Sequence, residues 1–287
     1  MPSKQITSMK KITLISSLFI FLLYACSTND EPLTHPWDSF KEGSWVDVHT
    51  YHKMQMGEQS EPSVWETDSR MTISKSENDK VVVRHTGTAM NLDEEAFLLI
   101  PSLEELPGTR ALGQWPHDIF PMGPERQKGL TPEDKNPNPE NVKTHEVERN
   151  VEISLNGKKY KTIHYLKEWD VAVNKDSVKS SKHYKMNAWV AEGIELPLKW
   201  TITTSDGSDD SETELVSIRD MVKAGQNELP CLVTMTKKKS AMGLMEKKRW
   251  SCTQVPGFMV KMETHVKGES FNLEVKEWVT DFSVTQK

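Results

Sequence analysis

The chain has 287 residues, of which 27% are charged and 36% are hydrophobic, and its formal net charge is −6 at pH 7. Nucleic acids and anionic membrane surfaces attract proteins with basic stripes, so this acidic balance argues against both as partners. A chain of this length can bury one sizeable core or fold as two domains.

The first element in the chain is an apolar run over residues 12–24, directly after Lys10 and Lys11. A helix needs about 20 apolar residues to cross a bilayer, so this run is too short to span one comfortably. A basic start, an apolar middle and the small residue Ala25 at the end are typical of a secretory signal peptide. The sequence therefore predicts a signal peptide over residues 1–25.

The motif LYAC (residues 23–26) resembles the lipobox of bacterial lipoproteins, in which the cysteine becomes the lipid-modified N-terminus. The resemblance implies that Cys26 is the lipidation site, that acyl chains such as palmitate anchor the protein, and that the membrane is its partner. An ordinary signal peptide that ends near a cysteine is the alternative. By the same resemblance to bacterial lipoproteins and their sorting rules, Ser27 after the cysteine, in place of an aspartate, implies the outer membrane in a cell that has one, facing the periplasm or the cell surface.

Residues 26–41 are polar and contain proline, which is typical of a flexible tether. Residues 42–285 are predicted to form a single β domain. Its first part, residues 43–88, contains three strand-like segments, SWVDVHTYHKM, SRMTISK and KVVVRHTG, with Asn78-Asp79 at the last turn.

Residues 89–145 are the least regular part of the chain. The segment DEEAFLLIPSLEELPG could carry one short helix ended by Pro107-Gly108, and the proline-rich segment after it has too few apolar residues for a strand. We expect an irregular insert with a long surface loop. A disordered insert is the simpler interpretation, and a functional lid is the alternative.

Turn residues organise the remainder of the chain. Asn156-Gly157, Asp206-Gly207 and Lys267-Gly268 each separate two strand-like runs, and such dipeptides are strong signals for hairpins. The sequence therefore predicts an all-β fold, with an antiparallel, strongly curved sheet or open barrel built from repeated hairpins.

Hairpin register follows from these turns. The Asp206-Gly207 turn places Lys199 opposite Glu214 and puts Trp200 in an apolar stripe. The Lys267-Gly268 turn places Met262 opposite Leu273. We expect Trp200 and Met262 on the buried face of the sheet and the neighbouring lysines on the exposed face.

A shift of 61 residues aligns two regions, with Trp189 on Trp250 and Gly207 on Gly268. Two tandem β units are predicted, over residues 146–222 and 226–285. The second contains WSCTQVPGFMVK, which is similar to a W-x4-V-P-G-x-x-V-K element in uncharacterised secreted bacterial β proteins. The similarity implies a β fold and brings no activity with it.

Cys231 and Cys252 remain once Cys26 carries lipid. A turn centred on Ala241-Met242 sets them directly opposite each other, and an exported protein meets an oxidising compartment, so we predict a disulfide between them. The alternative is two separate core cysteines.

Motifs for catalysis and metal binding fail at decisive positions. HEVER places Arg149 where a zinc protease has its second histidine, and His49 and His52 are three apart, which points them to opposite faces of a strand. The acidic segment DGSDDSE (residues 206–212) contains a hairpin turn and lacks the order of a calcium loop. No catalytic residue, metal or cofactor is predicted, and the sequence favours a protein that is not an enzyme.

Three functions fit these observations. The first is a binding lipoprotein for a lipid or other hydrophobic small molecule, with an architecture analogous to that of the periplasmic lipoprotein carriers with half-barrel folds. The second is an envelope assembly or adhesion module that acts through protein contacts. The third is an extracytoplasmic hydrolase. An apolar cavity, a flat apolar patch and a polar cleft, respectively, would favour them. Residues that bind the ligand are not predicted.

Overall fold

The structure is a computed structural model, which describes residues 37, 39–57, 60–77, 80–88, 92–99, 106, 109, 140–175, 178–208, 210–240 and 243–285. All of them belong to one compact unit, Leu33–Lys287. The predicted signal peptide, Cys26 and most of the predicted tether lie outside the described residues.

The described residues form thirteen strands in chain order: β1 Trp45–Met56, β2 Ser63–Glu77, β3 Lys80–Gly87, β4 Leu92–Leu99, β5 Glu140–Leu155, β6 Lys158–Lys175, β7 Val178–Ala191, β8 Lys199–Thr204, β9 Ser211–Ala224, β10 Asn227–Ser240, β11 Gly243–Ser251, β12 Met259–Lys267 and β13 Phe271–Ser283. They form one antiparallel, curved and unclosed sheet. The described part of the chain contains no helix, so none there could cross a membrane. The predicted fold class is confirmed.

The first and last strands of the chain pair with each other in the sheet, and the two strands at its edges come from the middle of the sequence. Its order is β4-β3-β2-β1-β13-β12-β11-β10-β9-β8-β7-β6-β5, so each strand pairs with its sequence neighbour except at β4 and β5. β1 and β13 pair along their whole length. The two edge strands are therefore β4 and β5, which flank residues 100–139 in the sequence.

Two predicted hairpins form at the predicted turns, and the register predicted for the second is confirmed. Asn156 and Gly157 both have positive φ, at 52° and 78°, as a two-residue turn between β5 and β6 requires. Around Asp206-Gly207, Lys199 pairs with Glu214 as predicted.

The predicted register of β12 on β13 is wrong. Met262 lies opposite Glu277 instead of Leu273, and the turn falls at Glu269-Ser270, closed by a hydrogen bond from the Gly268 amide to the Phe271 carbonyl (2.9 Å). The reason is the third strand: β11 pairs with β12 as far as Lys267, so this residue cannot turn. The slip moves each partner by four positions, an even number, so each side chain keeps its face.

The short helix considered for DEEAFLLIPSLEELPG is also a wrong prediction for the first half of this segment. Residues 92–99 form β4, which pairs with β3 along its length. Arg84 and Asp93, on the two strands, form a bidentate ion pair with nitrogen to oxygen distances of 2.6 and 2.7 Å. Pairing with β3 supplies backbone hydrogen bonds that an isolated short helix could not match.

The strands of the two predicted tandem units lie at corresponding positions. β7, β8 and β9 shifted by 61 residues fall on β11, β12 and β13, to within a few residues at each end. That the two units are copies of one another stays a prediction.

One face of the sheet carries most of the buried side chains, and we call it the inner face. It includes Thr50, Met262 and Glu277, all buried, on three neighbouring strands. Along each strand every second residue shares this face. The other, outer face carries charged side chains such as Lys261, Glu263 and Lys276. Trp200, at 7% exposure, and Met262, at 4%, are buried as predicted.

Candidate functional site

A row of apolar side chains crosses the inner face near the hairpin turns, and we call it the apolar row. Strand pairing places its members side by side: Met186 with Ile202, Met245 with Val266, and Leu273 with both Val266 and Met54. Val266 is buried and the other five are only half-buried. Three of the six are methionines, whose flexible side chains adapt to differently shaped partners.

Aromatic side chains extend this surface over β6, β7 and β8. Tyr165 and Trp200 are buried on either side of Ala188, and Trp169 stacks on Tyr184 with ring centroids 5.3 Å apart. We call this surface the aromatic wall. It offers a broad apolar surface, because the polar groups of these aromatic side chains are only their hydroxyl and indole N–H groups.

A residue of the insert packs onto the aromatic wall. Leu106 is buried in one cluster with Tyr165, Ala188 and Trp200. Thr109 is buried beside it, and both its amide and its hydroxyl donate to the Leu106 carbonyl, at 3.0 and 2.8 Å. At this point the segment between β4 and β5 therefore occupies the inner face.

Basic residues of the β10–β11 hairpin divide between the two faces. From its charge, the segment TKKKSAMGLMEKKR (residues 236–249) is expected to form the solvated tip of a hairpin, and this expectation is only half correct. Lys237 and Lys239 are exposed on the outer face, whereas Lys238, Lys247 and Arg249 share the inner face with Met245. We call Lys238, Lys247 and Arg249 the basic cluster.

Polar groups continue across the sheet beyond the basic cluster. Met262 separates Arg249 on β11 from Glu277 on β13. Glu277 is fully buried, and its carboxylate accepts a hydrogen bond from the Thr50 hydroxyl at 3.5 Å. The inner face is thus amphipathic. The apolar row lies at one end of the strands, and the basic cluster, Thr50 and Glu277 form a polar band next to it.

A separate apolar cavity of about 450 Å³ lies beside the β7–β8 and β11–β12 connections. Ile194, Leu196, Leu232 and Phe258 line it, with Arg219 and Cys252 among its polar residues. Its volume is within the range of small-molecule sites, about 300–1,000 Å³.

Phe258 lines this cavity in a left-handed conformation, with φ at 59°. Two hydrogen bonds of 2.7 Å hold it, from the Cys252 amide to its carbonyl and from its amide to the Val255 carbonyl. Such a conformation costs about 1–2 kcal/mol for a residue other than glycine, so the turn that shapes the cavity is strongly determined by its surroundings.

Cys231 and Cys252 meet as the hairpin register requires. Leu232 pairs with Ser251, one position away, and both cysteines are buried. Both thiols are free in this structure. The Cys231 thiol donates a hydrogen bond to the Leu229 carbonyl at 3.5 Å, and the interaction between the two thiols lowers the pKa of the Cys252 thiol. The disulfide stays a prediction for the exported protein.

Histidine and carboxylate pairs occur on the outer face. His49 lies 2.7 Å from Asp68, and His183 lies 2.9 Å from Asp170. Hydrogen bonds from Asn141 and from His183 lower the pKa of Asp170. Neither imidazole bonds to a hydroxyl or thiol within the described ranges, so neither pair has the partner of a hydrolase nucleophile.

The described part of the chain contains no group of three or more histidine, cysteine or carboxylate side chains that could bind a metal ion. In HEVER, Arg149 forms an ion pair with Glu146. Asp206 accepts from the Ser208 amide and pairs with Lys182, so it serves the hairpin turn.

The comparisons with known proteins give similar structures but no family. No protein-family model matches the chain, and no curated protein matches it. A LolA superfamily protein from Nitrosomonas europaea is similar at 9% identity, covering 88% of this chain and 91% of its own, with a TM-score of 0.31. A domain described as an outer membrane lipoprotein-sorting protein, from Vibrio parahaemolyticus, is similar at 9% identity, covering 84% and 86%, with a TM-score of 0.28. A DUF1329 family protein from Desulfovibrio piger is similar at 7% identity, covering 83% and 85%, with a TM-score of 0.30.

Proposed function

We propose that the protein is a binding protein of the cell envelope that holds a lipid or other hydrophobic small molecule against the inner face of its sheet. The observation that supports this most directly is the apolar row, in which five of six side chains stay half-open to solvent. The row is contiguous over β11, β12, β13 and β1, whereas Ser211 and Lys238 separate Ile202 from Met245. A contiguous apolar surface favours a ligand that covers it.

Leu106 supports the same proposal from another direction. A leucine from the insert already fills an apolar position on the aromatic wall, packed against Tyr165 and Trp200. The wall therefore accepts an aliphatic group brought to it from outside the sheet. Burying such a group contributes about 25 cal/mol for each Å² removed from water.

A matched pair of methionines tests the binding surface. Met245 on β11 lies in the apolar row, and Met235 on β10 is half-buried on the outer face. With the neutral dye N-phenylnaphthylamine as probe, Met245→Ser should weaken binding several-fold, and Met235→Ser should leave it unchanged. Equal losses in the two variants, or no binding of the dye by the wild type, would contradict the proposal.

The natural ligand can be sought directly. The mature domain, with residues 1–26 replaced by a cleavable secretion signal, would be purified from its own host and studied by native mass spectrometry and lipid extraction. We expect a copurifying hydrophobic molecule, and its amount should fall in the Met245→Ser variant.

Attachment through lipid on Cys26 is the second part of the proposal, and the lipobox supports it. The Cys26→Ala variant should move from the membrane to the soluble extracytoplasmic fraction and keep its fold, because Cys26 precedes the first strand by 19 positions. A variant that still sediments with membranes after a high-salt wash would refute the anchor and leave the binding surface untouched. The outer membrane is the proposed location.

A contact with another envelope protein is the second candidate function, and one observation favours it. Met56, Val64, Trp65 and Leu244 are exposed near the same end of the sheet, between 42% and 57%, the first and third on the inner face and the other two on the outer face. Exposed apolar side chains at the end of a sheet favour a protein contact there. Crosslinking in the envelope through a probe at Val64 would identify such a partner.

A further inference from the structure

The cavity beside the β7–β8 and β11–β12 connections lies between two separate hydrophobic clusters. Ile194 and Leu196, from the first connection, are buried in one cluster, and Leu232 on β10 packs against it. Cys252 and Phe258, from the second connection, are buried in the main cluster. Where the two clusters face each other, their side chains leave a space of about 450 Å³.

This cavity is distant from the apolar row. Leu232, in the cavity wall, and Lys238, the pairing partner of Met245 in the row, are six residues apart on β10. At about 3.3 Å per residue, this separation is roughly 20 Å. A small molecule in the cavity therefore does not reach the apolar row, and the cavity is a second place where a ligand can bind.

The cavity wall is apolar, partly open to solvent and held in one conformation. Ile218 on β9 is 45% exposed although its side chain is aliphatic, and Leu232 is half-buried. The two hydrogen bonds of the left-handed Phe258 fix the turn opposite them. A ligand would remove these side chains from water without first having to order the cavity.

Arg219 on β9 adds a cation to this lining. Its side chain is exposed, and its guanidinium forms no ion pair or hydrogen bond with any of the described residues. Elsewhere in the sheet, Arg70, Arg84 and Arg149 each pair with a carboxylate. Arg219 is therefore available to a ligand.

Carboxylates near Arg219 are engaged elsewhere. Glu195, which also lines the cavity, has an interaction of its own that does not involve the Arg219 guanidinium. Asp220, the next residue on β9, accepts a hydrogen bond from the Trp250 indole at 2.8 Å. Thr253 and Gln254, both exposed, supply further hydrogen-bond donors to the lining.

The chemistry of the lining defines a class of ligand. A guanidinium presents parallel N–H groups that match the two oxygens of a carboxylate. A phosphate monoester carries about −1.5 to −2 charges at pH 7, which is more than one cation balances. One arginine beside an apolar space therefore suits an apolar molecule with a single carboxylate.

We infer that the cavity is a second binding site, for a small carboxylic acid whose carboxylate pairs with Arg219 and whose compact apolar body fills the space between the two clusters. The inference goes beyond the proposed function, because the site contains no residue of the apolar row or of the aromatic wall.

The test uses two probes with the same compact body, adamantane-1-carboxylate and the uncharged adamantane-1-methanol, on the mature domain by isothermal titration calorimetry. The wild type should bind the carboxylate at least about tenfold more tightly than the alcohol, because charge-assisted hydrogen bonds are roughly twice as strong as neutral ones. Rising salt should reduce that preference.

The Arg219→Gln variant should lose the preference for the carboxylate and keep its affinity for the alcohol. Lys223→Gln is the matched control, since it removes the same charge from an exposed position of the same strand that does not line the cavity. It should change neither affinity.

A second pair of variants tests the apolar part of the site. Ile218→Trp should fill the cavity and weaken the binding of both probes several-fold. Met221→Trp places the same side chain at a position of β9 that is 46% exposed and outside the lining, so it should leave both affinities unchanged. Because both positions are exposed, neither variant disturbs the core.

Two measurements distinguish this site from the apolar row. Met245→Ser should not change the binding of either adamantane probe, and Ile218→Trp should not change the binding of N-phenylnaphthylamine. A loss of adamantane binding in Met245→Ser with none in Ile218→Trp would move the probes to the apolar row and overturn the inference, while the proposed function would stand.

Two further outcomes would overturn the inference. The first is equal binding of the two adamantane probes by the wild type, which would remove the role of Arg219. The second is binding of neither probe. In both cases the proposed function would still be decided by the dye and the methionine variants.

Discussion

The two faces of the sheet use charged residues in different ways. On the outer face, lysines pair with glutamates two residues away on the same strand, as in Lys261 with Glu263 at 2.8 Å and Lys276 with Glu274 at 2.6 Å. On the inner face, Lys247 has threonines as its cross-strand neighbours. The outer face thus pairs opposite charges along one strand, whereas the inner face places charged and neutral polar side chains next to each other across strands.

The contrast has an exception at the end of β11. Trp250 lies on the outer face yet is buried: it belongs to the main hydrophobic cluster, and the ammonium groups of Lys248 and Lys261 each lie 4.6 Å from the centre of its ring. Its indole N–H donates to Asp220 at 2.8 Å. Long lysine side chains can thus bury an aromatic ring while their charges stay in water.

The largest expected effect is the loss of stability when a large side chain that is buried on the inner face is truncated. Met262→Ala and Trp200→Ala should each lower the free energy of unfolding by about 2–5 kcal/mol, because both remove large buried side chains. Met235→Ala, from the half-buried outer face, is the control and should cost clearly less. Urea unfolding followed by circular dichroism gives the values, and an equal loss at Met235 and Met262 would erase the distinction between the faces.

The second effect concerns the buried pair Cys231 and Cys252. Oxidation should raise the free energy of unfolding by about 2–4 kcal/mol, because a bridge over the β10–β11 hairpin restricts the unfolded chain. Envelope-derived protein should show no free thiol on titration in denaturant without reductant. Two free thiols there would contradict the bridge. The Cys231→Ala/Cys252→Ala variant should unfold alike with and without reductant.

A smaller effect is expected at an outer-face ion pair. Lys199 contacts both Glu212 and Glu214, and the hydrogen bond to Glu212 raises the pKa of Lys199. These groups are substantially exposed, so Lys199→Ala should change the free energy of unfolding by at most about 1 kcal/mol. A larger loss in urea unfolding would mean that outer-face charges contribute as much as buried contacts.

The smallest effect is the pH dependence of the β8–β9 turn. Hydrogen bonds from the Ser208 amide and from Lys182 lower the pKa of Asp206 from 3.8 to about 2. Because the folded state has the lower pKa, this stabilisation is complete above pH 4 and is lost as the pH falls towards 2. Asp206→Asn should therefore lose less stability than the wild type over that range. Parallel acid titrations of the two proteins would contradict the assignment.

Some of the fold could be predicted from short stretches of sequence. Asn156-Gly157 fixed its hairpin because the backbone of a two-residue turn needs two residues that accept positive φ. The burial of Trp200 and Met262 followed from alternation alone, since every second side chain of a strand shares a face. The same alternation, applied to KKKSAMGLMEKKR, could have placed Lys238, Lys247 and Arg249 beside Met245.

Other features could not be predicted from local sequence. Residues 92–99 have a composition that suits a short helix, and pairing with β3 makes them a strand. The pairing of β1 with β13, which leaves the sheet open at the insert, joins residues more than 200 positions apart. Contacts at such distances leave no pattern in either strand.

By itself, the sequence determined which side chains share a face, because that depends only on whether two positions are an even number apart. It also determined the turns where glycine follows asparagine or aspartate. Only the tertiary structure decided which residues face each other on β12 and β13, because the pairing of β11 extends β12 to Lys267 and moves the turn. The basic cluster, the apolar row and Leu106 come together for the same reason: strand pairing, and not sequence distance, sets their neighbours.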